Sequence, residues 1–281
     1  MLKVNKIDHD HEQGDLDLMR RACKQAGVLA LGYFEGRNNK RWRKADGTAV
    51  SEADLAVDQL LHEMLLEDRP DYGWLSEETV DDQKRLNKRH VWIVDPIDGT
   101  RAFLQGKPHW VVSVALVVDG VVQMGCLYNP VSDEFFEAQR GKGAWLNGER
   151  VHVGDRKELE GATMVAAPGR FAAKNWPQPW PEMNSFMVNS IAYRMALVSA
   201  NKADGVLALS GKSDWDLAAA DLLVREAGGC CSDHKGTPFI FNQEKTRHQS
   251  VLVANPVLHE QMLTRTKQVE ARKRHGCGHN D

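Results

Sequence analysis

The ten residues Val91-Trp92-Ile93-Val94-Asp95-Pro96-Ile97-Asp98-Gly99-Thr100 leave the chain few ways to fold around them. The apolar half reads as a β-strand that stops abruptly on two carboxylates three residues apart. Pro96 pushes Asp95 out of the helical region, so the strand stays extended up to that acid. Gly99 removes the Cβ where the backbone must turn, and Thr100 suits the first residue of a helix. Two acids, the Ile97 carbonyl and exposed backbone N–H groups thereby collect around one point. Such a point can hold a divalent cation and a phosphate together. Read as plain structure, the same Asp-x-x-Asp is a turn and N-cap pair.

Other acids fit the same point. Ser76-Glu77-Glu78 ends the short apolar stretch Gly73-Trp74-Leu75, and Asp214-Trp215-Asp216 precedes an apolar helical run over 217–227 that Gly228-Gly229 closes. Trp215 is expected to pack into the core and Asp214 to be a solvated neighbour. Ser51-Glu52-Ala53-Asp54 opens a helix, and its spacing is also that of a capping box, so Asp54 reads either as a cap or as a site residue. Two like charges about 4 Å apart cost roughly 4 kcal/mol at an effective dielectric near 20. Converging carboxylates are therefore untenable unless protonated or neutralised. Oxygen ligands with little sulfur or imidazole select magnesium over zinc or copper, and none of the eleven histidines falls in these motifs. No Cys-x5-Arg or Gly-x-Ser-x-Gly segment supports a side-chain nucleophile.

The remainder reads as an α+β first half followed by an α/β second half. Helical periodicity runs over 15–36 and 51–67, flanking a basic, polar loop at 38–47. Strands follow at 111–118, 121–128 and 134–138, the first two joined by Asp119-Gly120. From about 190 the pattern alternates: helix 190–201, strand 205–209, helix 217–227, strand 229–232, strand 251–254 and helix 256–272. The division expected is an N-terminal subdomain over 1–150 that carries most of the acids and a C-terminal subdomain over 151–272. Residues 1–14 should fray, and the His/Gly-rich tail 273–281 should be disordered. A formal charge of −3 argues against a dedicated nucleic-acid surface, and no apolar run is long enough for an integral membrane span. The N-terminus lacks the apolar core of a signal peptide. Five cysteines, odd in number and without Cys-x-x-Cys spacing, suit reduced thiols in a cytoplasm.

The order Asp54, Glu77-Glu78, Asp95-Pro96-Ile97-Asp98-Gly99-Thr100, then Trp215-Asp216 with a trailing Gly-Gly resembles the lithium-sensitive, magnesium-dependent phosphomonoesterases of the inositol monophosphatase superfamily. The likeness spans roughly residues 15 to 260. That superfamily includes inositol monophosphatases, 3′(2′),5′-bisphosphate nucleotidases and fructose-1,6-bisphosphatases. The resemblance implies a layered α-β-α-β-α sandwich and in-line hydrolysis of a phosphate monoester. It also implies two magnesium ions, with a third in some states, and leaves a homodimer open. On the same ground Asp95 bridges the two ions, the Ile97 carbonyl and Glu77 serve one, and Asp98 and Asp216 serve the other. Asp54 hydrogen-bonds Thr100, which orients or deprotonates the attacking water, while the N–H groups of Gly99 and Thr100 hold the phosphate.

For the ester itself, three features resemble the bisphosphate nucleotidases (the CysQ group). Arg101 follows the Asp-Gly-Thr where inositol enzymes carry Thr-Asn-Phe. The stretch 206–213 lacks their sugar-gripping glutamate but offers Lys212, and Ser76 precedes the Glu-Glu. A second phosphate on the substrate favours such cations. The expectation is hydrolysis of 3′-phosphoadenosine 5′-phosphate to AMP, with inositol-1-monophosphatase as the alternative. Histidinol-phosphate phosphatase is disfavoured by Trp215-Asp216, and a non-catalytic partner of the transcription machinery by the intact Thr100 and acid set.

Overall fold

A computed structural model of the chain describes residues 6–36, 41–43, 49–167 and 169–269. The expected tail 273–281 and most of the basic loop at 38–47 lie outside the described residues. In chain order the elements begin with α1 (Lys6–Gly36), a short hairpin of β1 (Arg41–Arg43) and β2 (Ala49–Ser51), and α2 (Glu52–Asp68). Then come β3 (Gly73–Ser76), β4 (His90–Asp98), α3 (Thr100–Leu104), β5 (Val111–Val118), β6 (Val121–Asn129), β7 (Glu134–Gln139), β8 (Gly143–Leu146) and β9 (Glu149–Val151). The second half supplies β10 (Thr163–Val165), β11 (Asn184–Phe186), α4 (Ile191–Ser199), β12 (Gly205–Ala208), β13 (Lys212–Ser213) and α5 (Asp214–Glu226). It closes with β14 (Cys230–Ser232), β15 (Arg247–His248), β16 (Val251–Ala254) and α6 (Pro256–Thr266). The first helix starts at Lys6 instead of Asp15, and α5 starts three residues before the apolar run because Ser213 caps it.

Side-chain alternation along two strands explains the layering. On β4 and β5, Val91, Ile93, Val111, Ala115 and Val117 join a core with α4 and α5, whereas Trp92, Val94, Val112, Val114 and Leu116 join a second core with α1 and α2. Successive residues of a strand point to opposite faces, so a strand buried on both sides must be apolar throughout. The large sheet runs β3-β4-β5-β6-β7-β8-β9, with β3 and β4 parallel and the other neighbours antiparallel. The smaller sheet runs β11-β10-β12-β16-β14. Its Val206, Ala208, Val251 and Val253 face the α4/α5 core, and Leu207, Leu252 and Ala254 face α6. The layers are therefore α1/α2, large sheet, α4/α5, small sheet and α6, the α-β-α-β-α sandwich that the resemblance implies. Helix α5 lies very close to the large sheet: a Cβ on Gly125 would sit 2.9 Å from the Ala219 Cα.

Candidate metal centre and active site

Strict alternation would send Asp95 and Asp98 to opposite faces of the large sheet, because they are an odd number of residues apart. A bulge prevents this. Asp95 pairs with Ser113 and Asp98 with Val111, so three steps on β4 match two on β5. Pro96, which has no N–H to give to the ladder, sits inside the irregularity. The extra residue flips the strand's remaining register. Ile97 packs with the α1/α2 core, and Asp98 turns to the α4/α5 side that Asp95 already faces. Gly99 then reverses the chain at φ 103°, where a Cβ would strike the His109 carbonyl oxygen at 2.7 Å.

The two acids differ in how the protein meets them. Asp98 Oδ2 accepts from the Ser190 hydroxyl at 2.6 Å and from the Ala192 N–H at 2.7 Å, both at the start of α4. Asp95 Oδ1 accepts from the Ile97 N–H at 3.0 Å, but the buried Oδ2 has no hydrogen-bond partner. Buried carboxylate oxygens are rarely left this way. Asp216 is at the third position of α5, where its Oδ2 accepts from the Ser213 N–H at 2.6 Å. Ligand oxygens of Asp95, Asp98 and Asp216 lie within 4.8 Å of one another.

Charge crowding is visible in the acidities. Burial above all, then Glu77, Asp98, Asp216 and Asp54, push the Asp95 carboxyl well above the carboxylate range. Burial and then Asp216 push Asp98 up to about 7, against the Ser190 hydroxyl, the Ala192 N–H and Lys212. Glu77, one residue past β3, gives its N–H to the Val94 carbonyl at 3.3 Å and so stands beside the strand that carries Asp95. Glu78 is half-buried, with its N–H on the Ser76 hydroxyl.

Thr100 Oγ1 lies 3.2 Å from Asp54 Oδ1 and 3.1 Å from the Ile97 carbonyl oxygen. Asp54 Oδ2 meanwhile accepts from the Ser51 N–H at 2.8 Å and from the Ser51 hydroxyl at 2.6 Å. The cap and the Thr100 contact thus use two oxygens of one side chain. Lys212 acts on Asp98 from β13, whereas Arg101 is exposed on α3, which is only five residues long. Trp215 packs partly buried against the α4/α5 core, as expected from the sequence.

Asp214 corrects one expectation. It is fully buried, not solvated, and accepts from the Asn242 N–H and from His248 Nε2, each at 2.8 Å. Its neighbour's role gave no hint, since both partners lie nearly thirty residues or more downstream. Sequence reasoning also missed Arg194 on α4. Its guanidinium is buried, with Nε on the Val188 carbonyl at 2.6 Å and Nη2 near the Asn189 carbonyl and the Met187 sulfur, each at 3.4 Å. Among the described residues no acceptor is bonded to its Nη1. Burial lowers its pKa, Asp98 opposes that and Arg170 adds to it, so both groups lie within electrostatic reach of Arg194. The available signal was an arginine inside the otherwise apolar run 191–198.

Residues 15–271 match the sequence profile of the Inositol monophosphatase family. The chain belongs to that family. A histidinol-phosphatase of Chlorobaculum parvum is 35% identical over 235 residues, covering 82% of this chain and 90% of the relative. An inositol-1-monophosphatase of Rhizobium meliloti is 36% identical over 230 residues, covering 79% and 86%. The crystal structure of extragenic suppressor protein suhB from Bartonella henselae superposes with a TM-score of 0.78 at 30% identity, over 90% of this chain and 98% of that one. The chain is accordingly a phosphatase of the inositol monophosphatase family, whose members use a divalent metal. The residues present fit such an ion. Asp95 carries an orphaned buried oxygen and belongs to a group made wholly of carboxylates, a donor set suited to a hard cation. No described helix is long and apolar enough to cross a membrane.

Proposed function

We propose that the chain is a magnesium-dependent, lithium-sensitive phosphomonoesterase of the cytoplasm that removes one phosphate from a nucleoside bisphosphate, 3′-phosphoadenosine 5′-phosphate or a close relative. Asp95, Asp98, Asp216, Glu77 and the Ile97 carbonyl are the groups that would hold two ions, and the family resemblance implies a third in some states. Bound magnesium supplies charge neutralisation, an activated water and stabilisation of the leaving oxygen. Thr100 orients that water through its hydroxyl, and Asp54 fixes the hydroxyl's direction. The N–H groups of Gly99 and Thr100 at the strand–helix turn receive the phosphate oxygens. Ser190 and the Ala192 N–H hold Asp98 in one orientation.

The observation that carries the bisphosphate reading is Arg194. Arg194 and Lys212 both act electrostatically on Asp98, and Arg170 lies within reach of Arg194. A monophosphorylated polyol has a single dianion, which the metals satisfy; a second phosphate uses further donors. Arg101 is exposed one residue beyond Thr100 and suits the same anion. The relatives named inositol-1-monophosphatase and histidinol-phosphatase define the competing substrates.

Phosphate release with magnesium is to be compared for adenosine 3′,5′-bisphosphate, inositol 1-phosphate and histidinol phosphate. The expected result is the highest kcat/KM on the bisphosphate. Replacing Arg194 by methionine should raise KM for that ester roughly 10- to 100-fold, the worth of a charge-assisted hydrogen bond, and spare the monophosphates. Preference for inositol 1-phosphate, or an equal effect of Arg194→Met on all three, would overturn the bisphosphate reading. No release from any ester would point to a binding role instead. Sedimentation of the same preparation tests the homodimer that the family resemblance leaves open.

A further inference from the structure

The acids read as metal ligands come from different layers. Glu77 follows β3, which is an edge strand of the large sheet, and Asp216 opens α5 in the central helical layer. The Glu77 N–H pins one end of its loop to Val94. The other end is held by Arg85, a side chain 1% exposed in the short 3-10 turn Lys84–Asn87. Its Nε and Nη2 bind the two oxygens of Asp81 at 3.1 and 2.8 Å, which closes the loop over 77–85. Its remaining donors leave the loop altogether. Nη1 reaches Asn242 Oδ1 at 2.6 Å, and Nη2 reaches the Gln243 carbonyl at 3.0 Å.

Asn242 passes the connection on. It has a left-handed backbone, φ 57°, and its N–H donates to Asp214 Oδ2 at 2.8 Å. His248 Nε2 takes the other oxygen of Asp214, whose own N–H donates to the Thr246 carbonyl at 2.8 Å. Asp214 is two residues before Asp216, at the first position of α5. A continuous hydrogen-bonded path therefore runs Asp81, Arg85, Asn242, Asp214, from the loop of one acid to the helix start of the other. Packing alone does not call for a fully buried aspartate and a buried arginine, since apolar residues fill such places without the desolvation cost.

We propose that Arg85 and Asn242 are positioning residues that set the spacing between Glu77 and Asp216, and with it the affinity of the site for divalent metal. This rests on the reading of those acids as metal ligands. Neither residue belongs to the acid set; both act through Asp214 and the 77–85 loop. Partners outside the ligand set commonly tune metal affinity 10- to 100-fold. A mere staple between layers would change stability and leave metal affinity alone.

Two variants separate these cases. Arg85→Met cuts the path at its buried centre. Asn242→Gly removes the side-chain amide and with it the Oδ1 acceptor, keeps the N–H to Asp214 and tolerates the left-handed φ, so it is the milder change. Calorimetric titration of Mn²⁺ or Mg²⁺ into the purified protein is the first readout. The magnesium concentration for half-maximal phosphate release is the second, taken on whichever of the three esters the wild type cleaves fastest. Metal affinity is expected to weaken about tenfold or more in Arg85→Met and about fivefold in Asn242→Gly, with KM for the ester unchanged at saturating magnesium. Affinities within about twofold of wild type in Asn242→Gly, whatever the melting temperature, would overturn the proposal; that variant decides alone if Arg85→Met does not fold. A wild type that takes up no metal would instead remove the ligand reading beneath it.

Discussion

Two helix starts in this protein carry the same local signature and use it differently. Ser51-Glu52-Ala53-Asp54 opens α2, and Ser213-Asp214-Trp215-Asp216 opens α5. Each is a capping box, with serine as N-cap and aspartate at the third helical position returning to the serine N–H. Asp54 is buried and commits Oδ2 to Ser51 and Oδ1 to Thr100. Asp216 commits only Oδ2, is half-exposed and approaches Asp95 and Asp98. A capping box consumes one carboxylate oxygen and fixes the direction of the other. What the second oxygen meets then separates a residue that contacts the Thr100 hydroxyl from one that joins the acid cluster, the two roles proposed above.

The comparison breaks most visibly through two matched substitutions. Asp216→Asn keeps an acceptor for the Ser213 N–H and removes one negative charge from the three-acid cluster. It is expected to lower kcat about 10³-fold, equivalent to roughly 4 kcal/mol in the barrier, with no loss of metal-free stability because like-charge crowding is relieved. Asp54→Asn keeps the cap in the same way but blurs the orientation of Thr100. A smaller loss, about 10²-fold in kcat with unchanged magnesium dependence, is expected there. Steady-state kinetics across a magnesium series distinguishes them. If Asp54→Asn shifts the magnesium dependence as much as Asp216→Asn, the two aspartates do not differ in the manner argued.

Much of this was legible before the fold was known, and the reason is local. Pro96, Gly99 and the serine caps constrain the backbone beside each acid, so the positions of Asp54, Asp95, Asp98 and Asp216 at element ends follow from short-range chemistry. The layered fold was legible through the family resemblance, and the burial of β4 and β5 on both faces gives its physical reason. What stayed hidden is long-range. Nothing near Asp214 announces Asn242 or His248, and nothing near Asp98 announces Ser190 and Ala192, which lie more than ninety residues away. The strands β10 and β11 were missed: each is three residues long and, unlike the equally short β14, lies outside the alternating helix–strand pattern after 190. The bulge at Pro96 was also missed, although an Asp-x-x-Asp confined to one face of a strand requires one.

Acidity sharpens the contrast within the cluster. In the metal-free protein Asp95 and Asp98 titrate above the ordinary carboxylate range, Asp98 at about 7. Protons are then held by the folded state and released by the unfolded one, so unfolding becomes easier as pH rises between the two values. Metal-free stability contributed by these groups is complete below pH 4 or so and is lost as pH climbs through about 7. Magnesium should cancel that loss. Adding it is expected to raise Tm by several degrees more at pH 8 than at pH 5. Equal shifts at both pH values, measured by thermal unfolding, would mean that crowding among these acids does not govern the site.

The smallest expected effect concerns the serines, and it tests the comparison at its root. Ser51 is fully buried and its hydroxyl donates to Asp54 Oδ2 as well as capping the helix, whereas Ser213 contributes its N–H to Asp216 without a matching hydroxyl bond to that carboxylate. Removing a cap costs about 0.5–2 kcal/mol, and Ser51 loses a hydroxyl bond to Asp54 that Ser213 lacks. Ser51→Ala should therefore lower Tm by a few degrees and also reduce kcat several-fold, because Asp54 gains freedom to turn away from Thr100. Ser213→Ala should cost less stability and little activity, since the N–H that holds Asp216 survives the substitution. Were Ser213→Ala the more damaging for turnover, the hydroxyl at α5 would be organising the carboxylate cluster, and the division between an orienting aspartate and a metal-sharing one would have to be redrawn around the serines.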